Sequence, residues 1–267
     1  MTMDALLFGI TIVGGAVLFA SLGVLLVRQR TLTGALKSHH EVAGYLLPIV
    51  GTLYSVLLGL IVVDTQNKYQ DAKMITQREA DSCLDLFHLS YTTPVDVRIK
   101  LQNNLQAYLK AVNEDEWDSI SREGRFNESA RHAFRNLWWT IVDYEPTTGK
   151  EQSAYQKILD VMQGLTDGRR YRLQISQAGV PAVMWGVLIA GAVLTMLFTY
   201  LFEVENARAQ FFMTAIVALA LSLNVLLVAL FSNPYKGYMR IAKTSFEYDY
   251  RVTFELLKER PQPPASH

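Results

Sequence analysis

One uncharged run, Tyr45-Leu-Leu-Pro-Ile-Val-Gly-Thr-Leu-Tyr-Ser-Val-Leu-Leu-Gly-Leu-Ile-Val-Val63, limits what this chain can fold into more than any other stretch. It supplies roughly the twenty apolar residues that a helix needs to cross a bilayer. Neither Gly nor Pro then occurs between Asp64 and Tyr91, although the composition turns abruptly polar with Asp64, Lys68, Asp71, Lys73, Arg78 and Glu79. Apolar residues keep a helical spacing through Tyr69, Ala72, Ile75, Ala80, Cys83, Leu84 and Phe87. The first stop signal is Thr92-Thr93-Pro94. The pattern predicts a single helix from Tyr45 to about Leu89 that begins in lipid and ends well outside it. A helix of that kind can couple a membrane path to a soluble domain.

Within the apolar half, Pro48, Thr52, Ser55 and Gly59 fall on one helical face, with Gly51 beside them. Small residues let helices approach closely in lipid, which reads as a helix–helix seam. Small and weakly polar positions also suit the wall of a pore, where water or an ion passes. Both readings stay open on these residues alone.

The 267 residues carry a formal net charge of zero, and half of them are hydrophobic. That hydrophobicity is concentrated in four blocks: Ala5–Val27, the run ending at Val63, Val180–Phe202 and Gln210–Phe231. The expected fold class is an all-α membrane protein, with four transmembrane helices and a helical cytosolic domain between the second and third. The expected divisions are residues 1–63 for transmembrane helices 1 and 2, 64–178 for the helical domain continuing from helix 2, 179–232 for transmembrane helices 3 and 4, and 233–267 for a cytosolic tail. The first block lacks a positively charged start and a small-residue cleavage site, so it reads as a retained helix rather than a signal peptide. In the polar region, Thr93-Pro94 reads as a cap followed by proline at the first helical position. Asn127 reads as a second cap, and a long helix is expected from about Lys150, with Gly164 and Gly168 as weak points. No segment alternates in polarity, so no sheet is expected. Trp185 and Tyr200 read as interface anchors.

With four crossings, the termini and the 64–178 domain share one side of the membrane. Near the membrane that side offers Lys68, Lys73, Arg169, Arg170, Arg172, Lys236, Arg240 and Lys243, against Arg28, Arg30, Lys37 and Arg208 on the other. The positive-inside rule then places both termini and the helical domain in the cytoplasm, beneath a bacterial inner (plasma) membrane. The lone Cys83 excludes an intrachain disulfide and fits an apolar helix face in a reducing compartment.

No phosphate-binding loop, zinc-protease motif, nucleophile elbow or dinucleotide fingerprint occurs, so neither an enzyme nor a cofactor is expected. Adjacent His39 and His40 point about a quarter-turn apart on a helix, so His39-His40-Glu41 reads as a solvated link and no metal site is expected. Glu114-Asp115-Glu116 reads as a solvated helix end, with a divalent-cation site as the sharper alternative. Zero net charge, without a basic stripe interleaved with aromatics, excludes a nucleic-acid binder. None of the four blocks holds a charged residue or histidine in its middle. Ion-coupled transporters need such groups at mid-depth to bind and release the driving ion, whereas a channel does not. Ser222 and Asn224 read as groups that hydrogen-bond between helices.

The run Gly44–Val63, the following stretch with Tyr69 and Arg78-Glu79-Ala80, and the later Arg169-Arg-x-Arg172, Pro181, Trp185 and Asn233-Pro-Tyr-x-Gly237 together resemble a bacterial and plant membrane family now called bestrophin-like. The resemblance covers nearly the whole chain. It implies a homo-oligomeric ring in membrane lipid, pentameric in bestrophins, around a pore lined by the second helix. Pro48, Thr52, Ser55 and Gly59 would line that pore for monovalent ions. The chain also departs from bestrophins. Their bulky neck positions correspond here to Leu47, Gly51 and Ser55, the tryptophan pair at the exit of the pore helix is missing, and Glu247 and Asp249 are too sparse for an acidic calcium clasp. Calcium gating is therefore not expected.

Asp64 at one end of the pore helix and Glu41 just before the other would each become a ring of like charge, which attracts cations. Lys68 and Lys37 stand close enough in sequence to offset them. Animal bestrophins conduct anions and some bacterial relatives pass cations. The expectation is thus an ion channel for monovalent ions, cation-leaning, with anions as the alternative. Two other classes fit the same layout: a pentameric stator-type proton-motor subunit, which would copurify with partners, and a non-conducting membrane scaffold or sensor.

Overall fold

Uninterrupted runs of helix-compatible residues become uninterrupted helices. The computed structural model describes residues 3–30, 40–201 and 206–259, and every regular element among them is helical. The helices are α1 (Met3–Arg30), α2 (His40–Leu89), α3 (Val95–Ala111), α4 (Trp117–Glu123), α5 (Glu128–Val142), α6 (Gly149–Gln177), α7 (Ala182–Leu201), α8 (Ala207–Phe231) and α9 (Thr244–Lys258). They form two compact units, Met1–Tyr69 with Gly179–Asn233, and Gln70–Ala178 with Pro234–His267. α2 contributes to both. Its 50 residues at 1.5 Å each make it about 75 Å long, more than twice the hydrocarbon thickness of a bilayer.

In the first unit, α1, α7, α8 and the apolar half of α2 are each long and apolar enough to cross a membrane. Tyr54, Leu58 and Ile61 of α2 pack with Leu188 of α7 and Val228 of α8. The Tyr54 hydroxyl donates to the Leu188 carbonyl at 2.8 Å, and its ring lies directly against Gly191, where no Cβ intervenes. α1 meets α7 in a similar way: the Tyr200 hydroxyl donates to the Ala20 carbonyl at 3.0 Å and lies over Gly23. Tyr200 therefore ties two helices together, which the interface-anchor expectation did not include. Ser222 and Asn224 bond within their own helix, to Leu219 and Ala220 carbonyls. Back-bonding to the preceding turn satisfies a hydroxyl or amide without a partner helix. Outside this core the helices show large apolar side chains, such as Phe19, Leu53, Val183 and Phe212, on the surface.

The second unit buries one apolar stripe from each of its helices, including Cys83, Leu86 and Phe87 of α2, Leu105 and Tyr108 of α3, Leu137 of α5, and Ile158, Met162 and Leu165 of α6. Each such side chain contributes about 1.5–3 kcal/mol by leaving water. Asn127 caps α5, its Oδ1 accepting from the Ser129 amide at 2.8 Å. Thr148 and Glu151 form a reciprocal capping box on α6. Thr93 does not cap α3. Pro94 holds that position, and the Thr93 hydroxyl instead donates back to the Ser90 carbonyl at 2.7 Å, closing the short turn Ser90–Thr92. α6 runs unbroken through Gly164 and Gly168, because neighbours pack against both glycines. Between α3 and α4 the chain widens into a π-type turn, Val112–Glu116, that shifts the helical register. α4 ends at Gly124, whose φ of 69° lies in the left-handed region that favours glycine.

Candidate functional site

Two places in the fold hold residues of functional interest, one in each unit. In the first, Pro48, Thr52, Ser55 and Gly59 are all exposed. They occupy a stripe roughly a third of a turn away from the face that α2 buries through Tyr54, Leu58, Ile61 and Thr65. The Ser55 hydroxyl donates to the Gly51 carbonyl of its own helix, so its outer surface shows little polarity. At the end of the apolar stretch, Lys68 Nζ lies 2.7 Å from Asp64 Oδ2 in an exposed pair. The side chain of Glu41, in the first turn of α2, lies outside the described residues, as do His39 and Lys37.

In the second unit, four charged side chains from α2, the π-type turn and α6 meet in the interior. Arg172 is fully buried and donates through Nε to Glu79 Oε2 at 2.8 Å, and through Nη2 to Glu79 Oε1 at 2.9 Å and Glu116 Oε1 at 2.7 Å. Arg169 donates through Nη2 to Glu116 Oε2 at 2.7 Å, and through Nη1 to the Tyr108 hydroxyl at 3.1 Å. That hydroxyl donates in turn to Glu79 Oε1 at 2.7 Å. Two carboxylates and two guanidiniums sum to zero. Burial opposes the Arg172 charge, but Glu79 and Glu116 outweigh it and hold the guanidinium above its ordinary value. Aromatic faces complete the enclosure: the Arg169 guanidinium lies 4.1 Å from the Phe126 ring centre, and Arg172 lies 5.6 Å from those of Trp117 and Phe246. Gly168 admits the Glu79 stem, since a Cβ there would stand 2.9 Å from Glu79 Cβ. The Asn-Pro-Tyr-x-Gly segment adds Tyr235, whose hydroxyl lies 2.8 Å from that of Thr76 on α2. The arrangement fixes the polar half of α2 against α6 and the π-type turn through bidentate charge-assisted bonds.

This cluster corrects two expectations. Glu116 is not part of a solvated helix end, although Glu114 and Asp115 are exposed; the π-type turn rolls Glu116 inward. Among the described residues, no group of three metal-binding side chains is gathered there or elsewhere. Arg169 and Arg172 are not free cations near a membrane surface either; both are buried and paired with Glu79 and Glu116. The signal was present in the spacing. Arg169 and Arg172 continue the buried stripe Ile158, Met162, Leu165 at three- and four-residue steps, and Glu79 sits between Thr76 and Cys83 on the buried face of α2. A charge on an apolar stripe marks a buried pair. Cys83 is fully buried, and burial, then Glu79 and Asp249, push its thiol well up.

This fold is found among solved structures. A mutated bacterial bestrophin homologue from Klebsiella pneumoniae gives a TM-score of 0.71 at 10% identity, over 92% of this chain and 99% of that one. A second mutated form of it gives 0.69 at 12% identity, over 95% and 100%. A crystal structure of a membrane protein gives 0.72 at 9% identity, over 91% and 98%. No curated protein matches the chain in sequence. The fold thus defines the class, an all-helical membrane protein with the bestrophin architecture. The bestrophin-like domain matches residues 14–246, and the chain belongs to that family.

Proposed function

We propose that this protein is an ion channel: a homo-oligomeric ring in membrane lipid, pentameric as in bestrophins, with α2 lining a central pore for monovalent ions. The observation that carries the reading is the exposed stripe Pro48, Thr52, Ser55 and Gly59, which the protomer leaves free of its own packing. A ring would turn such a stripe toward its axis, and small side chains there leave a lumen open. Asp64 lies at the polar end of that path and gives it a cation lean, offset by Lys68. Both termini and the helical domain belong in the cytoplasm of a bacterial inner membrane, with the divisions near residues 63, 178 and 232. The test is Ser55→Leu. It should cut conductance in planar bilayers while the ring survives in mild detergent. An intact ring with unchanged conductance removes Ser55 from the pore, and a ring that falls apart assigns the stripe to a helix–helix seam.

A further inference from the structure

α9 lies beyond almost all of the family match, which ends at residue 246, and its buried face carries a group with no counterpart. Phe246, Asp249 and Thr253 are buried there, and Asp249 is 4% exposed. Among the described residues, Asp249 Oδ2 has no hydrogen-bond partner, and none forms an ion pair with the carboxylate. From α2, Asp81 and Asp85 face it with like charge, and Cys83 lies within its field. From α3, Gln106 is uncharged and donates to Thr253 Oγ1 and the Tyr250 carbonyl. From the π-type turn, Asn113 donates to the Phe246 carbonyl, and Lys243 Nζ is taken by the Asn113 carbonyl at 2.8 Å and by Glu247 at 3.5 Å. On α9 itself, Glu247, Tyr248 and Arg251 are exposed. The nearby cluster of Glu79, Glu116, Arg169 and Arg172 is internally neutral. A carboxylate in this position is buried among like charges, whereas a carboxylic acid escapes the charge penalty and keeps only the smaller cost of a buried polar group.

We propose that α9 is a proton-sensitive strap, seated on the polar half of α2 and on α3 while Asp249 carries a proton, and released as Asp249 ionises. Burial, then Asp81 and Asp85, push the seated carboxyl up to about 6 from an ordinary value of 3.8. Because the seated value is the higher one, seating is tightest below pH 4 or so. It weakens as pH rises through about 6 and then levels off. The segment joining α8 to α9 includes Gly237 at a φ of 82°, a conformation that bulkier residues would resist. Any effect of the strap on conductance rests on the pore reading above, but its release does not.

Hydrogen–deuterium exchange on the purified full chain in detergent, with mass spectrometry of α9 peptides and correction for the intrinsic pH dependence of exchange, tests it. Between pH 5 and pH 7.5, α9 protection should fall about tenfold, while α5 peptides stay constant. Asp249→Asn should keep α9 protected at both pH values. In Asp81→Asn/Asp85→Asn the fall should move to lower pH, because part of the upward push is removed. Equal α9 protection across the range in the native chain overturns the proposal, as does the same pH response in Asp249→Asn. A double variant whose profile does not move overturns the part assigned to α2. Absence of conductance in a native protein that passes these tests would count against the pore reading and leave the strap standing.

Discussion

Replacing Arg172 with Met isolates what the buried charges do. Arg172 makes three of the bonds in the cluster and no part of it reaches solvent. Methionine keeps most of the stem volume but leaves Glu79 held only by Tyr108, and Glu116 only by Arg169. Breaking a buried pair by removing one partner destabilises by about 3–5 kcal/mol, because the remaining charge stays desolvated. For a chain of this size that corresponds to a fall in Tm of roughly 6–20 °C. Thermal unfolding of the purified protein, followed by tryptophan fluorescence, measures it directly, since Trp117 borders the cluster. Adding Glu79→Gln should restore part of the lost stability at neutral pH. A shift below about 1 kcal/mol, the range of exposed pairs, would refute the idea that this cluster is dry.

Two further outcomes follow from the first unit. Gly191→Val places branched carbon where the Tyr54 ring lies; overpacking of this kind destabilises by about 1–3 kcal/mol, and Tyr54→Ala in the same background should relieve it in thermal scans. Lys68→Gln releases Asp64 from its 2.7 Å pair and should move reversal potentials in a salt gradient toward the cation's equilibrium value; an unchanged potential takes Asp64 out of the ion path.

The long second helix was readable from sequence because its evidence is local: an uncharged run, no breaker before Tyr91, and apolar spacing that survives the change to polar composition. The caps divided along physical lines. Asn127 has one strong option, whereas the Thr93 hydroxyl could bond forward or backward, and the turn at Ser90 captured it. The buried cluster was missed because charge in a sequence is assigned to solvent by default, which turned Arg169 and Arg172 into membrane-surface cations. Glu116 was harder still, since only the added residue of the π-type turn brings it inward, and neither propensity nor periodicity marks that residue. Pro48, Thr52, Ser55 and Gly59 share an exposed face of α2. Its chemistry depends on neighbouring copies, about which one chain's periodicity says nothing.

The continuity of α2 has a mechanical consequence. A continuous helix resists torsion, and between Glu79 and Ser55 the sole glycine is Gly59, so a turn of its polar half about the axis would be carried in part to the apolar half. With side-chain ends roughly 5 Å from the axis, a rotation of about 20° sweeps Ser55 or Thr52 through roughly 2 Å, comparable to the radius of a small ion. A grip on α2 at Glu79 therefore holds one end of the same helix that carries Thr52 and Ser55.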